Sequence, residues 1–512
     1  MNETIVKHLN FGEDARGKIF AGINKLTKAV SSTLGASGKC VIMEDNSGTP
    51  LITKDGVTVA NSITLLDPVE NMGARLIKEA ARKTVQEAGD GTTTSTIIAH
   101  AILEESKKYK DLTSREIKDG INLAVDKVVQ YLEKISTPVV DGKVKQVATI
   151  SANNDIELGC IINEAFESVD NTGVVLMETH DSPITEITSV EGVQYEQGFS
   201  SDHFITNKED RTVELKNPLV LLLDSKIDNI RKIQNVLEYV IKKSEAILIV
   251  GDLEPQVESA LAMNKIKGNI KVNVVKPPVF GVNRKEILED LSLITGANII
   301  NEQLGDDMDL ISVDHLGRCI KSVSTSSETL LQVDAMSPEV KELVNSIKNK
   351  LSKESNAILK EKHEKRIARL SAKVAIIKVG ANSDIELKEK KDRVEDAICA
   401  TKAAIKEGIV PGGGVALLNA ANNIKAKCDG ERVLLNAIKV PFETILKNAG
   451  ISEMPILNVN GKGLDVVTGK KVSMVKSGII DPLLVTKSAL KNAASVASTI
   501  LSTDCVINNL RA

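Results

Sequence analysis

Both ends of the chain carry long helical patterns rich in alanine, whereas the middle carries short β-branched runs. Apolar residues recur at helical spacing over Ala15–Leu34, Val69–Ala88, Thr92–Tyr109, Ser114–Ile135, Asp384–Glu407, Gly413–Asn423, Glu431–Asn448 and Val485–Leu501. A chain of 512 residues is too long for one compact core and should divide into domains. These patterns predict a helical domain built from both termini, with a different domain inserted between them.

The inserted middle has the pattern of an α/β layer, in which short apolar runs alternate with helical patterns. The strand-like runs of the whole chain are Cys40–Met43, Pro50–Thr53, Val174–Met177, Leu219–Leu223, Ala246–Val250, Lys271–Val275 and Val374–Val379. The charged stretch Ser337–Leu370 has an apolar seam at helical spacing, which is typical of a solvated helix. The predicted fold class is therefore multidomain, α and α/β.

Charge and aromatic content exclude several partners. The net charge is −4, which gives no electrostatic reason to expect nucleic acid or an anionic membrane. Aromatic residues make up 2% of the chain and Trp is absent, so the stacking surfaces of single-strand binders are missing. The longest apolar runs are as short as a strand and cannot span a bilayer. We expect neither nucleic-acid nor membrane partners.

Cysteine usage indicates a reducing compartment. The six cysteines lie far apart and form no CxxC pair, which favours free thiols over disulfides or a zinc site. The first residues, Met1–Gly17, carry charges throughout and have no apolar signal-peptide core. We therefore expect a cytoplasmic protein.

The segment Gly89-Asp90-Gly91-Thr92-Thr93-Thr94 stands directly before a predicted helix. Free N–H groups at a helix N-terminus favour an anion, glycines let the backbone approach a phosphate, and Asp90 could hold Mg²⁺. An Asp-Gly turn followed by a Thr cap explains most such segments in isolation. By itself the segment leaves both interpretations open.

Three further clusters resemble phosphate or nucleoside loops. They are the turns Leu34–Gly38, Thr53–Gly56 and Pro411–Gly414. Each taken alone is more often a structural turn. The last is not a dinucleotide fingerprint because a helix precedes it, and the chain contains no Walker GxxxxGK[ST] motif.

Six runs, taken together, resemble the signatures of the group I chaperonins, the GroEL family, in the family's order and spacing. They are Leu51–Ala60, Glu70–Ala74, Gly89–Thr94, Thr149–Asn153, Lys390–Ala397 and Gly412–Leu417. The likeness extends from about Phe11 to Cys505. It implies an equatorial ATP-binding domain (residues 1–136 and 409–512), an intermediate domain (137–191 and 374–408) and an apical substrate-binding domain (192–373).

The resemblance also implies a nucleotide site for ATP and Mg²⁺, with K⁺ as a candidate second ion. Asp90 would ligate Mg²⁺, and Asp396 would orient the attacking water with Asp55 beside it. The implied nucleotide contacts are Gly35, Lys54, Gly91, Thr92, Thr93, Thr94, Gly413, Asp465, Ile479 and Asp481. Without the family context, an exposed helix carboxylate would be the simpler interpretation of Asp396.

For substrate, the resemblance implies an apolar apical rim that holds non-native protein clients and also receives a cochaperonin lid. The aligned positions are Phe199, Phe204, Ile230, Ile233, Leu237, Leu261 and Met263, and such residues could equally belong to a core. The implied assembly is a homo-oligomeric ring, with seven subunits per ring as the family expectation.

The sequence departs from the family at particular places. Gln234, Glu258 and His203 replace residues of the rim that are usually apolar or aromatic. Ala372-Lys373 replaces a glycine pair at one hinge, whereas Gly192 is kept at the other, and Ala36-Ser37 replaces Pro-Lys in the first phosphate turn. The Gly-Gly-Met tail is absent.

Three functions remain open on these grounds: an ATP-driven folding chamber, a holdase with weak or uncoupled ATPase, and a scaffold ring. The presence of Asp55, Asp90 and Asp396 argues against a scaffold, which needs no water-positioning carboxylate.

Overall fold

The computed structural model describes residues 7–44, 48, 50–139, 142–152, 154–169, 174–179, 182–195, 197–207, 211–276, 282–302, 305–307, 311–333, 338–353, 359, 362–363, 366–367, 370, 373–452, 455 and 460–509. The chain forms two compact units. Unit 1 comprises Met1–Asn163, Thr179–Glu186 and Val379–Ala512, and unit 2 comprises Glu164–Glu178 and Ile187–Lys378. The predicted boundaries of three domains remain a prediction.

The helices of the described residues are α1 (Gly12–Ser31), α2 (Gly56–Ser62), α3 (Pro68–Ala88), α4 (Thr92–Ser106), α5 (Ser114–Ile135), α6 (Lys143–Ser151), α7 (Ile156–Ser168), α8 (Gln234–Lys243), α9 (Pro255–Ile266), α10 (Val282–Thr295), α11 (Pro338–Lys353), α12 (Asp384–Glu407), α13 (Val415–Asn423), α14 (Asp429–Ala437), α15 (Val440–Asn448) and α16 (Leu483–Leu501).

The strands are β1 (Lys7–Phe11), β2 (Val41–Glu44), β3 (Pro50–Thr53), β4 (Val174–Thr179), β5 (Glu186–Tyr195), β6 (Val213–Lys216), β7 (Leu219–Leu223), β8 (Ala246–Val250), β9 (Lys271–Val275), β10 (Ile299–Ile300), β11 (Gly317–Arg318), β12 (Lys321–Ser324), β13 (Thr329–Gln332), β14 (Lys373–Val379), β15 (Ile409–Pro411), β16 (Lys462–Asp465), β17 (Lys470–Ser473), β18 (Ile480–Pro482) and β19 (Cys505–Asn509).

Unit 1 is a helical bundle built from both ends of the chain. The apolar faces of α1, α3, α4, α5 and α16 meet in one core that includes Ile23, Leu26, Ile98, Ile121 and Leu490. The two termini also pair directly, because β1 and β19 form an antiparallel ribbon with Leu9 opposite Ile507. The helical domain predicted from the two termini is thus confirmed.

Capping residues set the ends of helices α3 and α5. Asp67 caps α3, Pro68 begins it, and Gly89 in the left-handed region (φ 74°) ends it. In α5, Thr113 and Glu116 form a reciprocal capping box. These caps reproduce the predicted helix Ser114–Ile135 residue for residue.

Unit 2 contains two sheets. In the first, β10, β7, β8 and β9 lie side by side in that order and run parallel, and β11 joins β7 antiparallel. Its strands β7 and β8 are buried along their whole length, which explains their uninterrupted apolar sequences. In the second, the order is β4, β14, β5, β13, β12 and β6. The predicted α/β insertion is confirmed.

Proline and glycine residues change the bounds of two predicted helices. The helix predicted over Glu431–Asn448 is divided into α14 and α15, because Pro441 lacks an amide hydrogen and would clash with the carbonyl one turn earlier. The helix predicted from Gly413 begins at Val415, since Gly413 and Gly414 both adopt positive φ, at 62° and 75°.

Helix α11 forms the first half of the charged stretch that was predicted as a helix over Ser337–Leu370. Ser337 itself lies outside the described residues. Among the helices that the structure describes, none is long and apolar enough to cross a bilayer.

Candidate functional site

The glycine-flanked start of α4 is open to an anion. Gly91 precedes the helix with φ 97° and provides no side-chain cap, so the first-turn N–H groups have no acceptor within the helix. Asp90 accepts the amide of Gly91. The hydroxyl of Thr92 is buried and has no hydrogen-bond partner among the described residues. Thr93 and Thr94 are half-buried at the same helix end.

The turn that carries Lys54 and Asp55 packs directly on this helix end. A Cβ added at Gly56 would lie 2.2 Å from Thr93 Oγ1, so only glycine permits this approach. The Asp55 carboxylate caps α2, accepting the amides of Val57 at 3.0 Å and Thr58 at 2.6 Å. Asp55 therefore has a structural role in addition to any chemical one.

Helix α12 reaches the same loop from the other side. A Cβ at Gly89 would lie 2.4 Å from Cys399 Cβ, which places α12 in contact with the turn between α3 and α4. Asp396 stands one turn before Cys399 on α12. Burial raises the pKa of the Cys399 thiol to about 12, so this cysteine is an inert packing residue.

Ion pairs hold the N-terminal half of α12. Arg393 contacts Asp155 at 3.1 Å and Glu389 at 2.8 Å. Burial lowers the pKa of the Lys54 ammonium, which is also in electrostatic range of Glu389 and Arg393. The charged face of α12 thus lies beside the Lys54 turn.

Four carboxylates from separate segments of unit 1 come together beside the start of α4, and we call this region the cleft. They are Asp55, Asp90, Asp396 and Asp481. Burial raises the pKa of Asp90, and the charge of Asp55 raises it further. Burial raises the pKa of Asp396 well above its usual value, with added repulsion from Asp90 and Asp55. Burial, and then the charge of Asp90, raise the pKa of Asp481 to about 7. Each of these side chains keeps a small exposed fraction.

Glycines and an apolar wall form the other end of the cleft. Asp481 accepts the amides of Gly413 and Gly414. A Cβ at Gly413 would lie 3.3 Å from Met474 Cε and 3.9 Å from Ile479 Cγ2. Met474 belongs to a buried cluster with Phe442 that sequence reasoning missed. Met474 lies 61 positions after Gly413 and belongs to no recognisable sequence motif. It directly follows strand β17, and Ile479 directly precedes strand β18.

Two residues that were predicted to contact the nucleotide, Asp465 and Gly35, contact other residues of this chain. Asp465 is the last residue of β16, and its carboxylate accepts the Val467 amide at 3.0 Å and the Thr468 hydroxyl at 2.6 Å in the turn that follows. Gly35 packs against Ile445, which would lie 3.2 Å from a Cβ added there. Ala36 is exposed and Ser37 is half-buried in the same turn.

The carboxylate cluster fits a hard divalent cation. Mg²⁺ prefers oxygen ligands and is usually held by one or two carboxylates together with substrate phosphates. Among the described residues, no His, Cys, Asp or Glu side chains form a ready-made metal-binding group of three or more. A Mg²⁺ site that is completed by phosphate oxygens needs only one protein carboxylate. Such a site agrees with the carboxylate cluster and also with the lack of a preformed metal-binding group among the described residues.

Five of the seven predicted rim positions are buried in this structure. Phe199, Phe204, Ile233, Leu237 and Leu261 are buried in the core of unit 2, between its parallel sheet and the helices. Their side chains hold that layer together and present no surface to a client in this structure. Ile230 is partly buried, and Met263 is 53% exposed.

Polar substitutions at the rim have local partners. Glu258 accepts a hydrogen bond from Ser200 at 2.7 Å, and Gln234 donates to Glu238 at 2.6 Å. His203 is exposed in a short 3-10 turn. Gly192 packs against Val374, and a Cβ there would lie 2.7 Å from Val374 Cγ2. Asn153, Ala372 and Leu510–Ala512 lie outside the described residues.

Comparison with known proteins gives a family and two structural relatives. The model of the TCP-1/cpn60 chaperonin family matches residues 26–511. The chaperonin gp146 from the bacteriophage EL 2 (Pseudomonas aeruginosa), crystallised in the presence of ATP-BeFx, is similar over 100% of both chains in crystal form II, with a TM-score of 0.74 and 22% sequence identity. Crystal form I gives a TM-score of 0.65 at 22% identity, over 98% of this chain and 99% of that one. At this identity the likeness shows a shared fold.

Proposed function

Because the chain belongs to the TCP-1/cpn60 chaperonin family, we propose that it is one subunit of an ATP-driven protein-folding ring. The ring is a homo-oligomer, for which the family expectation is seven subunits. It binds non-native proteins and promotes their folding through Mg²⁺-dependent ATP binding and hydrolysis.

The convergence of Asp90, Asp396 and Asp55 at the glycine-flanked start of α4 carries this proposal. Carboxylates that raise one another's pKa destabilise the folded protein unless a cation neutralises them. Clusters of carboxylates with raised pKa values are typical of functional sites. The ATP-BeFx in the gp146 crystals gives independent support for nucleotide as the ligand.

Asp90 would hold Mg²⁺, and the ion would neutralise charge on the phosphates. In the mechanism that we propose, the N–H groups at the start of α4 and the hydroxyls of Thr92, Thr93 and Thr94 bind phosphate oxygens. Lys54 adds positive charge, and Asp396 orients the attacking water with Asp55 beside it.

The nucleoside end is assigned from the glycine loop. Gly413 lets the sugar and base approach the backbone, and Ile479 and Met474 supply an apolar wall. Asp481 binds the ribose hydroxyls. Asp465 contacts the base through acceptor sites that its two turn bonds leave available, one on each carboxylate oxygen.

Client binding is assigned to unit 2, through apolar surface near Met263 and Ile230. The burial of the other rim positions favours capture after a conformational change that exposes them. A cochaperonin lid is a candidate partner at the same surface. The compartment that we propose is the cytoplasm, in agreement with the six cysteines, which are all free thiols.

The experiment is refolding of a chemically denatured client with ATP and Mg²⁺, and without a cochaperonin. In Asp396→Ala we expect ATP binding to persist and turnover to fall about a hundredfold, the size typical of losing a positioned base. The matched control is Asp119→Ala, which removes a carboxylate that is 63% exposed on α5.

The result separates the three candidate functions. Recovery of client that disappears in Asp396→Ala, and not in Asp119→Ala, supports the folding ring. Client binding with uncoupled turnover supports a holdase, and neither activity supports a scaffold. An unchanged rate of ATP turnover in Asp396→Ala would contradict the proposed role of that residue.

A further inference from the structure

The turn after α1 is fixed by a side chain that comes from the far end of the chain. Asn448, the last residue of α15, donates its side-chain amide to the carbonyls of Ser31 and Leu34, at 2.9 Å each. Ser31 is the last residue of α1 and Leu34 lies in the turn that follows it, so the two bonds join both parts of the turn to α15. The partners are 417 and 414 positions apart in sequence.

The turn itself is closed by its own backbone. Gly38 donates to the carbonyl of Gly35 at 2.9 Å, and Lys39 donates to that of Ser32 at 2.8 Å. Gly35 adopts φ 86°, and Ile445 covers it with two carbon atoms 3.2 Å from where a Cβ would stand. Ile445 and Asn448 are three residues apart, so the same face of α15 supplies both contacts.

The other end of α15 touches the second glycine loop. A Cβ at Gly414 would lie 2.9 Å from the backbone nitrogen of Phe442. Phe442 and Leu446 pack with Met474 in the apolar wall beside Gly413. Helix α15 therefore contacts the Gly35 turn through its C-terminal residues and the Gly413–Gly414 loop through its N-terminal ones.

We infer that Asn448 is a positioning residue for the nucleotide, which sets the distance between the Gly35 turn and the Gly413–Gly414 loop. The inference rests on the proposed function, together with the nucleotide contacts that the family resemblance implies for Gly35 and Gly413. It assigns no contact between Asn448 and ATP. The amide acts by holding the carbonyls of Ser31 and Leu34 against α15, so that both loops stand at the spacing that ATP requires.

The test begins with the nucleotide-free protein. In Asn448→Ala we expect faster hydrogen exchange at the amides of Gly38 and Lys39, because the turn loses its anchor. The KM for ATP should rise about tenfold, as two neutral hydrogen bonds of modest strength are lost, whereas kcat stays within twofold.

The matched control is Asn423→Ala. Asn423 is the last residue of α13 and donates its amide to Asn419 O at 2.7 Å and to Asn460 Oδ1 at 3.0 Å. Its loss should lower thermal stability by a similar amount and leave the KM and the exchange of Gly38 and Lys39 unchanged.

A second variant replaces the donor by an acceptor. Asn448→Asp places a carboxylate against two carbonyls, so its KM for ATP should exceed that of Asn448→Ala at pH 8. Protonation below about pH 5 restores one donor, so the ratio of its KM to the wild-type KM should fall as pH is lowered. A protein that is merely destabilised would not recover at lower pH. If Asn448→Ala fails to fold, Asn448→Ser keeps one donor and should give an intermediate KM.

The outcomes distinguish this inference from the proposed function. Wild-type protein that does not bind ATP overturns both. Wild-type protein that binds ATP, with equal KM and equal exchange in Asn448→Ala and Asn423→Ala, overturns the role of Asn448 alone. A KM increase confined to the Asn448 variants, with faster exchange of Gly38 and Lys39, supports it.

Discussion

At the scale of single residues, the cleft of unit 1 is defined by carboxylates that are costly to ionise. Asp481 is the clearest case, because burial and the charge of Asp90 raise its pKa to about 7 while two glycine amides oppose the shift. A carboxyl group whose pKa is raised in the folded state holds its proton there at pH values where the unfolded chain has lost it. Its ionisation therefore destabilises the fold.

The sign of the pH effect follows from that difference in protonation. For Asp481, the folded protein loses stability as pH rises from about 4, the usual carboxyl value, to about 7, and no further above it. We predict that Asp481→Asn is more stable than the wild type at pH 8 by about 1–2 kcal/mol, a figure discounted for the partial exposure of the group, and that the gain disappears at pH 4.

Thermal unfolding of the nucleotide-free protein in EDTA at both pH values measures this difference. Asp119→Asn, at an exposed position, is the control and should show the same response to pH as the wild type. A gain in Asp481→Asn that is independent of pH would contradict the assignment of the effect to ionisation.

At the scale of elements, the docking of α12 on the turn between α3 and α4 brings Asp396 to Asp90. The approach depends on the absence of a side chain at Gly89, where a Cβ would lie 2.4 Å from Cys399 Cβ and 2.8 Å from its Sγ. Two ion-pair groups hold the helix: Arg393 with Asp155 near one end, and Glu407 with Lys487 at 2.7 Å at the other.

We predict that Gly89→Ala displaces α12 and lowers ATP turnover at least tenfold, a loss expected when a catalytic group is moved by about an ångström. Removing the opposing side chain in Gly89→Ala/Cys399→Gly should recover part of that turnover. Steady-state ATPase assays of the single and double variants measure the effect.

Backbone strain is controlled separately. Gly142 also adopts a left-handed conformation, with φ 84°, and has no atom within 4 Å of an added Cβ. Gly142→Ala should therefore cost about 1 kcal/mol of stability and leave turnover unchanged. Equal losses of turnover in Gly89→Ala and Gly142→Ala would attribute the effect to strain and not to the contact with α12.

At the scale of the whole molecule, the residues assigned to nucleotide all belong to unit 1, and those assigned to clients all belong to unit 2. The chain leaves unit 1 after Asn163 and again after Glu186, and it returns at Thr179 and at Val379. Next to the last two of these crossings, the amide of Gly380 donates to Thr185 Oγ1 at 3.3 Å, so those two crossings are close together.

This closeness predicts that residues 187–378 can be replaced by a short Gly-Ser linker. We expect the shortened protein to retain its helical circular dichroism and to bind ATP with an affinity within about threefold of the full chain, while losing client binding. Titration calorimetry with ATP and a client-aggregation assay test the two parts. A shortened protein that is folded but does not bind ATP would show that unit 2 contributes to the nucleotide site.

The family and the fold class followed from sequence because the signals are local. The caps of α5 and the apolar runs of β7, β8 and β9 fix those elements through short-range periodicity, and the glycines around Asp90 fix the turn before α4. Several such motifs in one order were enough to indicate the chaperonin family that the comparison then confirmed.

Burial and charge coupling were decided only by the tertiary structure. Phe204, Ile233 and Leu261 have sequences compatible with a surface rim or a core, and the packing of α9 and its neighbours on the sheet makes them core. The pKa of Asp481 depends on Asp90, which lies almost 400 positions away, and the turn at Gly35 depends on Asn448. Sequence periodicity reports which face of an element is apolar, whereas contacts between distant segments depend on how the elements pack together.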